Sequence, residues 1–254
     1  MTILDKIVET RKERLKKKKD EVAESNLVRQ VDPPRPFFNT DGFTVIAECK
    51  RGSPSKGVFT NEYNPTLIAR DYERGGTHAV SVLTEPDYFY GDESHLTDVR
   101  RAISLPVLRK DFIFDPYQIT ESWAMGADAI LLIAAILSET QLHELAVHAA
   151  EYDLAVLLEV HDGDELAKAL NVPATGIGIN ARNLKDFSID LDRSKELCRR
   201  VPADRIAVAE SGMMSQQDGR NMVDAGFRGF LVGEYFITAW ERVRTVREFI
   251  EALG

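Results

Sequence analysis

Eight short apolar runs alternate with eight segments of helical spacing after residue 43. This rhythm predicts an α/β protein, a closed (β/α)8 TIM barrel with an N-terminal helical extension. Two further observations point the same way. Gly76, Gly126 and Gly226 each end a helical segment just before an apolar run, where a left-handed residue closes a helix at little steric cost. The charged residues of the apolar runs collect at their C-terminal ends, where barrels carry their chemistry. A length of 254 residues suits one such barrel.

Residues 1 to about 31 read as helical. Ile3, Leu4, Ile7 and Val8 share a face, Arg11 to Lys19 is strongly basic, and Lys16 to Lys19 reads as a solvated helix face. Asp32-Pro33-Pro34-Arg35-Pro36 breaks the segment. The expected division is an extension, residues 1–42, packed on a barrel, residues 43–254. Buried parallel strands are expected near 43–49, 78–83, 106–110, 128–133, 154–160, 175–180, 206–210 and 229–233. Helices are expected near 65–75, 94–102, 116–125, 138–151, 162–170, 190–200, 215–225 and 238–252. Asn64 before Pro65, Ser138 with Gln141, and Ser215 before Asp218 read as helix N-caps.

Composition removes several function classes. Asp and Glu number 41 against 32 Lys and Arg, so the formal charge of −9 argues against a general nucleic-acid binder. Cys49 and Cys198 make no disulfide framework and suit a reducing cytoplasm. The N-terminus lacks an apolar signal core and no run of 18 apolar residues occurs, so neither export nor a membrane partner is expected. The five histidines show no convergent spacing for a metal, and nucleophile-elbow, Walker and dinucleotide-binding motifs are missing. Gly176-Ile177-Gly178 lies inside a strand, where Gly178 reads as making room in the barrel interior.

Alternation along each run decides which side chains face inward. Pro106 to Phe112 puts Leu108, Lys110 and Phe112 on one face. Strand 1 brings Glu48 and Lys50 inside and Cys49 outside. Strand 5 ends in Glu159, strand 6 gives Asn180 and Arg182 in phase, and strand 7 ends in Glu210. Buried charges need partners, so three carboxylates, three cations and an amide converging at one end imply a site rather than packing. After strands 7 and 8 come Ser211-Gly212 and Gly233-Glu234, small-residue loops of the kind that cradle phosphate. Ser53, between Gly52 and Gly57, adds a hydroxyl from a loop read as a mobile lid.

These residues closely resemble the indole-3-glycerol phosphate synthase family of tryptophan biosynthesis. The motifs are Ile46-Ala47-Glu48-Cys49-Lys50-Arg51-Gly52-Ser53-Pro54-Ser55-Lys56-Gly57, Ser81-Val82-Leu83-Thr84-Glu85, Leu108-Arg109-Lys110-Asp111-Phe112, Leu158-Glu159-Val160, Gly178-Ile179-Asn180-Ala181-Arg182-Asn183-Leu184, Ala209-Glu210-Ser211-Gly212 and Leu231-Val232-Gly233-Glu234. The resemblance runs nearly end to end.

It implies a carbon-carbon lyase that closes the indole ring of 1-(2-carboxyphenylamino)-1-deoxyribulose 5-phosphate, losing carbon dioxide and water, without a cofactor. Lys110 is then the general acid at the ketone oxygen. Lys50 and Arg182 hold the carboxylate, with Lys50 a second acid. Glu159, assisted by Glu48, serves the dehydration, and Asn180 and Glu210 orient hydroxyls and lysines. Phe89, Phe112, Leu131 and Leu184 wall the aromatic ring, while Ser53, Ser211, Gly212, Gly233 and Glu234 hold the phosphate. The implied partner is this small phosphosugar-anthranilate, with other enzymes of the pathway further candidates and a monomer or weak homodimer the expected assembly. The alternatives are another phosphosugar barrel enzyme, such as phosphoribosylanthranilate isomerase, or a non-catalytic phosphate-ligand-binding barrel. Gly52, Ala181 and Tyr235-Phe236 depart from the family pattern. Gly52 is expected to loosen its loop, and Tyr235-Phe236 to alter phosphate affinity.

Overall fold

Each apolar run becomes a strand within about one residue of its expected bounds. In a computed structural model, which describes residues 2–39, 41–54, 56–59, 62–183 and 187–254, the strands are β1 (Thr44–Cys49), β2 (Ala79–Leu83), β3 (Val107–Lys110), β4 (Ala129–Ile133), β5 (Ala155–Val160), β6 (Gly176–Asn180), β7 (Ile206–Glu210) and β8 (Gly229–Val232). They pair in parallel with their sequence neighbours, and β8 returns to β1 to close the barrel. Closure leaves no free sheet edge.

The helices are α1 (Ile3–Glu21), α2 (Pro65–Gly75), α3 (Glu93–Ala102), α4 (Pro116–Met125), α5 (Glu139–Glu151), α6 (Gly163–Ala169), α7 (Leu191–Cys198), α8 (Gln216–Asp224), α9 (Glu234–Ile237) and α10 (Arg242–Leu253). The expected caps form: Asn64 accepts from the Leu67 N–H, Ser138 and Gln141 make a reciprocal capping box, and Ser215 accepts from the Asp218 N–H. Two apolar layers result. Ile46, Leu108, Leu131, Leu157, Val208 and Leu231 fill the barrel interior. The alternate residues, Cys49 among them, face the helices.

Three expectations are corrected. The N-terminal helix ends at Glu21 rather than near 31, because Val22 turns to extended backbone and only a short 3-10 turn, Glu24–Asn26, follows. The last helix, expected from residue 238, starts only at Arg242, and a short helix that was not expected, α9, follows Gly233 directly. Lys16, Lys17 and Lys19 are exposed as expected, but Lys18 is half-buried, and the helix also has a buried face. Ile7, Arg11 and Leu15, spaced by four, form the buried stripe of α1. Arg11 Nη2 donates to Asp111 Oδ2 at 2.9 Å, and Lys18 pairs with Glu93 and Glu121.

The extension grips both ends of the barrel. The α1 helix lies over the loops after β2 and β3, where Arg14 pairs with Asp87 and Lys19 with Asp115. The segment after it runs to the opposite end. There the Arg35 N–H donates to Asp128 Oδ1, and the Phe38 ring fills the space that a side chain at Gly176 would take.

Candidate active site

The strand ends converge on a cavity of about 310 Å³, a size suited to a small ligand. Its lining includes Glu48, Lys50, Ser53, Phe89, Lys110, Phe112, Leu131, Glu159, Asn180, Arg182, Glu210, Ser211, Gly212, Gly233 and Glu234. Every site residue expected from sequence therefore lines it except Leu184, which lies outside the described residues. Phe59, Phe187, Ile189 and Met213 join them without having been expected.

Lys110 is the centre of the arrangement. Its Nζ donates to Glu159 Oε2 at 3.2 Å and to Glu210 Oε2 at 3.3 Å. Burial alone would push its proton off, but Glu210, Glu159 and Glu48 outweigh burial and raise its pKa well above the ordinary lysine value. It is therefore a charged ammonium, tuned upward by carboxylates. Lys50 Nζ sits 2.7 Å from Glu48 Oε2 and 5.6 Å from the centre of the Phe59 ring.

Two glycines make this clustering possible. A Cβ on Gly178 would stand 2.0 Å from Glu210 Oε1, and one on Gly233 would stand 2.3 Å from Glu48 Oε2. Gly178 does make room in the interior, and the room is taken by a carboxylate. Register places Gly178 beside Glu159 and Asn180 beside Glu210. The two buried carboxylates take opposite directions. Burial and the neighbouring Glu159 charge raise Glu210 against the pull of Lys110, so it is the member that takes a proton. Glu159 is held below its ordinary range, because Lys110 and His161 outweigh its burial. Glu210 Oε1 is buried without a partner, as a carboxyl in search of a donor or a proton would be.

Asn180 Oδ1 accepts the Arg182 backbone N–H at 3.0 Å, which leaves the donor end of its amide for a ligand. Phe89 and Phe112 face each other with ring centres 6.1 Å apart. Ser211 and Gly212 are successive left-handed residues, with φ of 64° and 80°, so the chain turns sharply as it leaves β7. Across the mouth, Lys56 pairs with Glu234.

The structure places two of the departures. Gly52 sits in a short two-stranded ladder. It pairs antiparallel with Val58, and a Cβ there would meet Gly57 O at 2.6 Å and the Tyr90 ring at 2.7 Å. Tyr235 and Phe236 do not line the cavity, because their rings pack outward on Phe249.

Sequence reading missed the groups that hold the site in place. Glu85 accepts the backbone N–H groups of Asp87, Tyr88 and Phe89, and so positions the Phe89 wall. Asp111 fixes the step from Lys110 to Phe112. Its Oδ1 accepts the Phe112 N–H at 2.8 Å, while Oδ2 accepts from Arg11, Thr84 and Arg109. Arg109, fully buried on the outer side of β3, pairs with Glu121 at 2.7 Å. His161 reaches Glu159 from behind. Its signal was its position, two residues after Glu159 on the same strand face.

Comparison with known proteins agrees with the geometry. The family model described as indole-3-glycerol phosphate synthase matches residues 4–249. An indole-3-glycerol phosphate synthase from Desulfotalea psychrophila is 43% identical over 239 residues, covering 91% of this chain and 92% of the relative. One from Aliarcobacter butzleri is 42% identical over 245 residues, covering 92% and 93%. Among solved structures, 3-hexulose-6-phosphate synthase from Salmonella typhimurium aligns with a TM-score of 0.68 at 11% identity, over 83% of this chain and 98% of that one, a likeness of fold. A closed barrel with its charged strand ends gathered on one cavity, and a family match over nearly its whole length, place this chain in the indole-3-glycerol phosphate synthase family of carboxy-lyases.

Proposed function

We propose that the cavity closes the indole ring of 1-(2-carboxyphenylamino)-1-deoxyribulose 5-phosphate to give indole-3-glycerol phosphate, with Lys110 as the principal acid. The observation that carries this reading is the Lys110 ammonium, held by Glu159 and Glu210 on the cavity wall. As the aromatic carbon bearing the carboxylate bonds to the ketone carbon, the ketone oxygen gains charge and then a proton. A charged, preorganised ammonium stabilises that oxygen and supplies the proton.

Lys50 and Arg182 hold the substrate carboxylate until carbon dioxide leaves and the ring regains its aromaticity. The new hydroxyl then departs as water, with a proton lost from the neighbouring carbon. Glu159, charged and on the cavity wall, takes that proton, and Glu48 and Lys50 serve the departing hydroxyl. Phe89, Phe112, Leu131 and Leu184 take the aromatic ring. Asn180 and Glu210 orient the hydroxyls. The Ser211-Gly212 turn, Gly233, Glu234 and Ser53 take the phosphate, chiefly through backbone N–H groups, since the Glu234 carboxylate is turned to Lys56. The expected setting is the cytoplasm, which two buried free cysteines suit, with a monomer or weak homodimer as the working form. Other enzymes of the pathway are the proposed protein partners.

Mixing purified protein with this substrate, with no metal or cofactor added, is expected to give a rise in indole fluorescence. The rise should disappear in Lys110→Ala, a loss of about 10²-fold or more. Near-normal turnover in that variant would remove Lys110 from its role.

A further inference from the structure

His161 follows the end of β5 and is not among the residues that line the site cavity, yet both of its ring nitrogens face carboxylates. Nδ1 lies within hydrogen-bond distance of Glu165 Oε2 at 3.1 Å, and Nε2, buried and without a hydrogen bond, lies at an ion-pair distance of 3.3 Å from Glu159 Oε1. Glu165 is itself anchored. Its Oε2 accepts the His161 backbone N–H at 2.7 Å, and its own N–H donates to Asp162, the N-cap of α6. A neutral imidazole has one N–H and one lone pair, so it would turn a lone pair onto one of the two carboxylates. A doubly protonated ring suits both.

The surrounding charges favour the same state. Lys110 from β3 and Glu210 from β7 face Glu159 on the cavity side, and Glu165 from α6 faces the ring from the other. Without a cation at His161, Glu159 would share Lys110 with Glu210, and the Glu165 ion pair would be lost. Burial opposes the charged ring, but Glu159 and Glu165 outweigh it and raise His161 to about 10.

We propose that His161 is a positioning residue for Glu159. Anchored by Glu165, its doubly protonated ring holds Oε1 of Glu159, so that Oε2 stays charged and turned toward Lys110 and the cavity for proton transfer. The inference rests on the proton-transfer role given to Glu159 above.

The test is His161→Gln, which keeps a polar side chain and removes the charge. The expected result is a kcat lower by about tenfold or more with KM changed by less than about twofold. The acid limb of the kcat–pH profile should move to higher pH, because a carboxylate that loses a neighbouring cation takes up its proton sooner. Glu165→Gln should move both in the same direction by less. Should His161→Gln fail to fold, the ring nitrogen NMR shifts of the wild-type protein decide. Two protonated nitrogens at neutral pH support the proposal, and a single neutral tautomer overturns it. Wild-type turnover combined with an unchanged kcat and an unmoved acid limb in His161→Gln would overturn the role of His161 alone. A folded wild-type protein without turnover would overturn the reaction itself, and this inference with it.

Discussion

The site works by making charged groups depend on one another. Lys110 keeps Glu159 ionised, Glu159 and Glu165 keep His161 protonated, and Glu210 takes up the strain of a second buried carboxylate beside Glu159. Each of these groups would be costly alone in a barrel interior. The linkage at His161 has a sign that can be checked. Its folded value, about 10, lies above the ordinary 6.5 of an unfolded chain. Its contribution to stability is therefore fully present below about pH 6.5 and is lost as pH rises through about 10. Thermal melts across that window should show wild type losing its advantage over His161→Gln as pH rises. A constant difference between the two proteins would mean that the ring is neutral in the folded state.

At the scale of elements, the decisive feature is what β6 leaves out. Gly178 has no side chain, and the vacant volume holds Glu210 Oε1 from β7 next door. Gly178→Ala puts a methyl carbon where that oxygen sits, so Glu210 must swing away from Lys110. Kinetics should show kcat down by about tenfold or more, and urea unfolding a stability loss of about 1–3 kcal/mol from overpacking. An unaltered kcat would show that the Glu210–Lys110 contact is dispensable. The described part of the loop after β1 makes its own contacts. Its Gly52–Ser53 and Gly57–Val58 ladder packs on Tyr90, and its Lys56 reaches Glu234 at the start of α9.

Across the whole molecule, the extension and the barrel share one charge network. Arg11 of α1, Thr84 after β2 and Arg109 of β3 all converge on Asp111 Oδ2, and Lys18 reaches Glu121 beside Arg109. Burial would raise Asp111, yet Arg11 and Arg109 hold it below its usual range. The helix at the mouth therefore stabilises the turn that aims Lys110 and Phe112. Arg11→Met removes one of the two cations on Asp111. Its expected cost is about 2–3 kcal/mol, modest for a broken buried pair because Arg109 remains. Urea unfolding measures it, and a variant as stable as wild type would mean that α1 is held by apolar contacts alone. With no alteration of any cavity residue, a reduced kcat in the same variant would show that docking of α1 reaches the site.

The strands, the helices between them, the barrel, the caps at Asn64, Ser138 and Ser215, and the inward set from Glu48 to Glu210 were legible in the sequence, whereas the ends of the first and last helices were not. They follow from local rules: period two along a strand, period 3.6 along a helix, and caps where backbone groups lack partners. Only the tertiary structure decided how those side chains divide their charges. Which carboxylate Lys110 would meet, that Glu210 needs the space at Gly178, that Arg11 is buried on Asp111, and that His161 stands behind Glu159 are contacts between residues far apart along the chain, or across a strand end. Periodicity states which way a side chain points. The charge it carries depends on distance and burial, and those exist only once the barrel has closed.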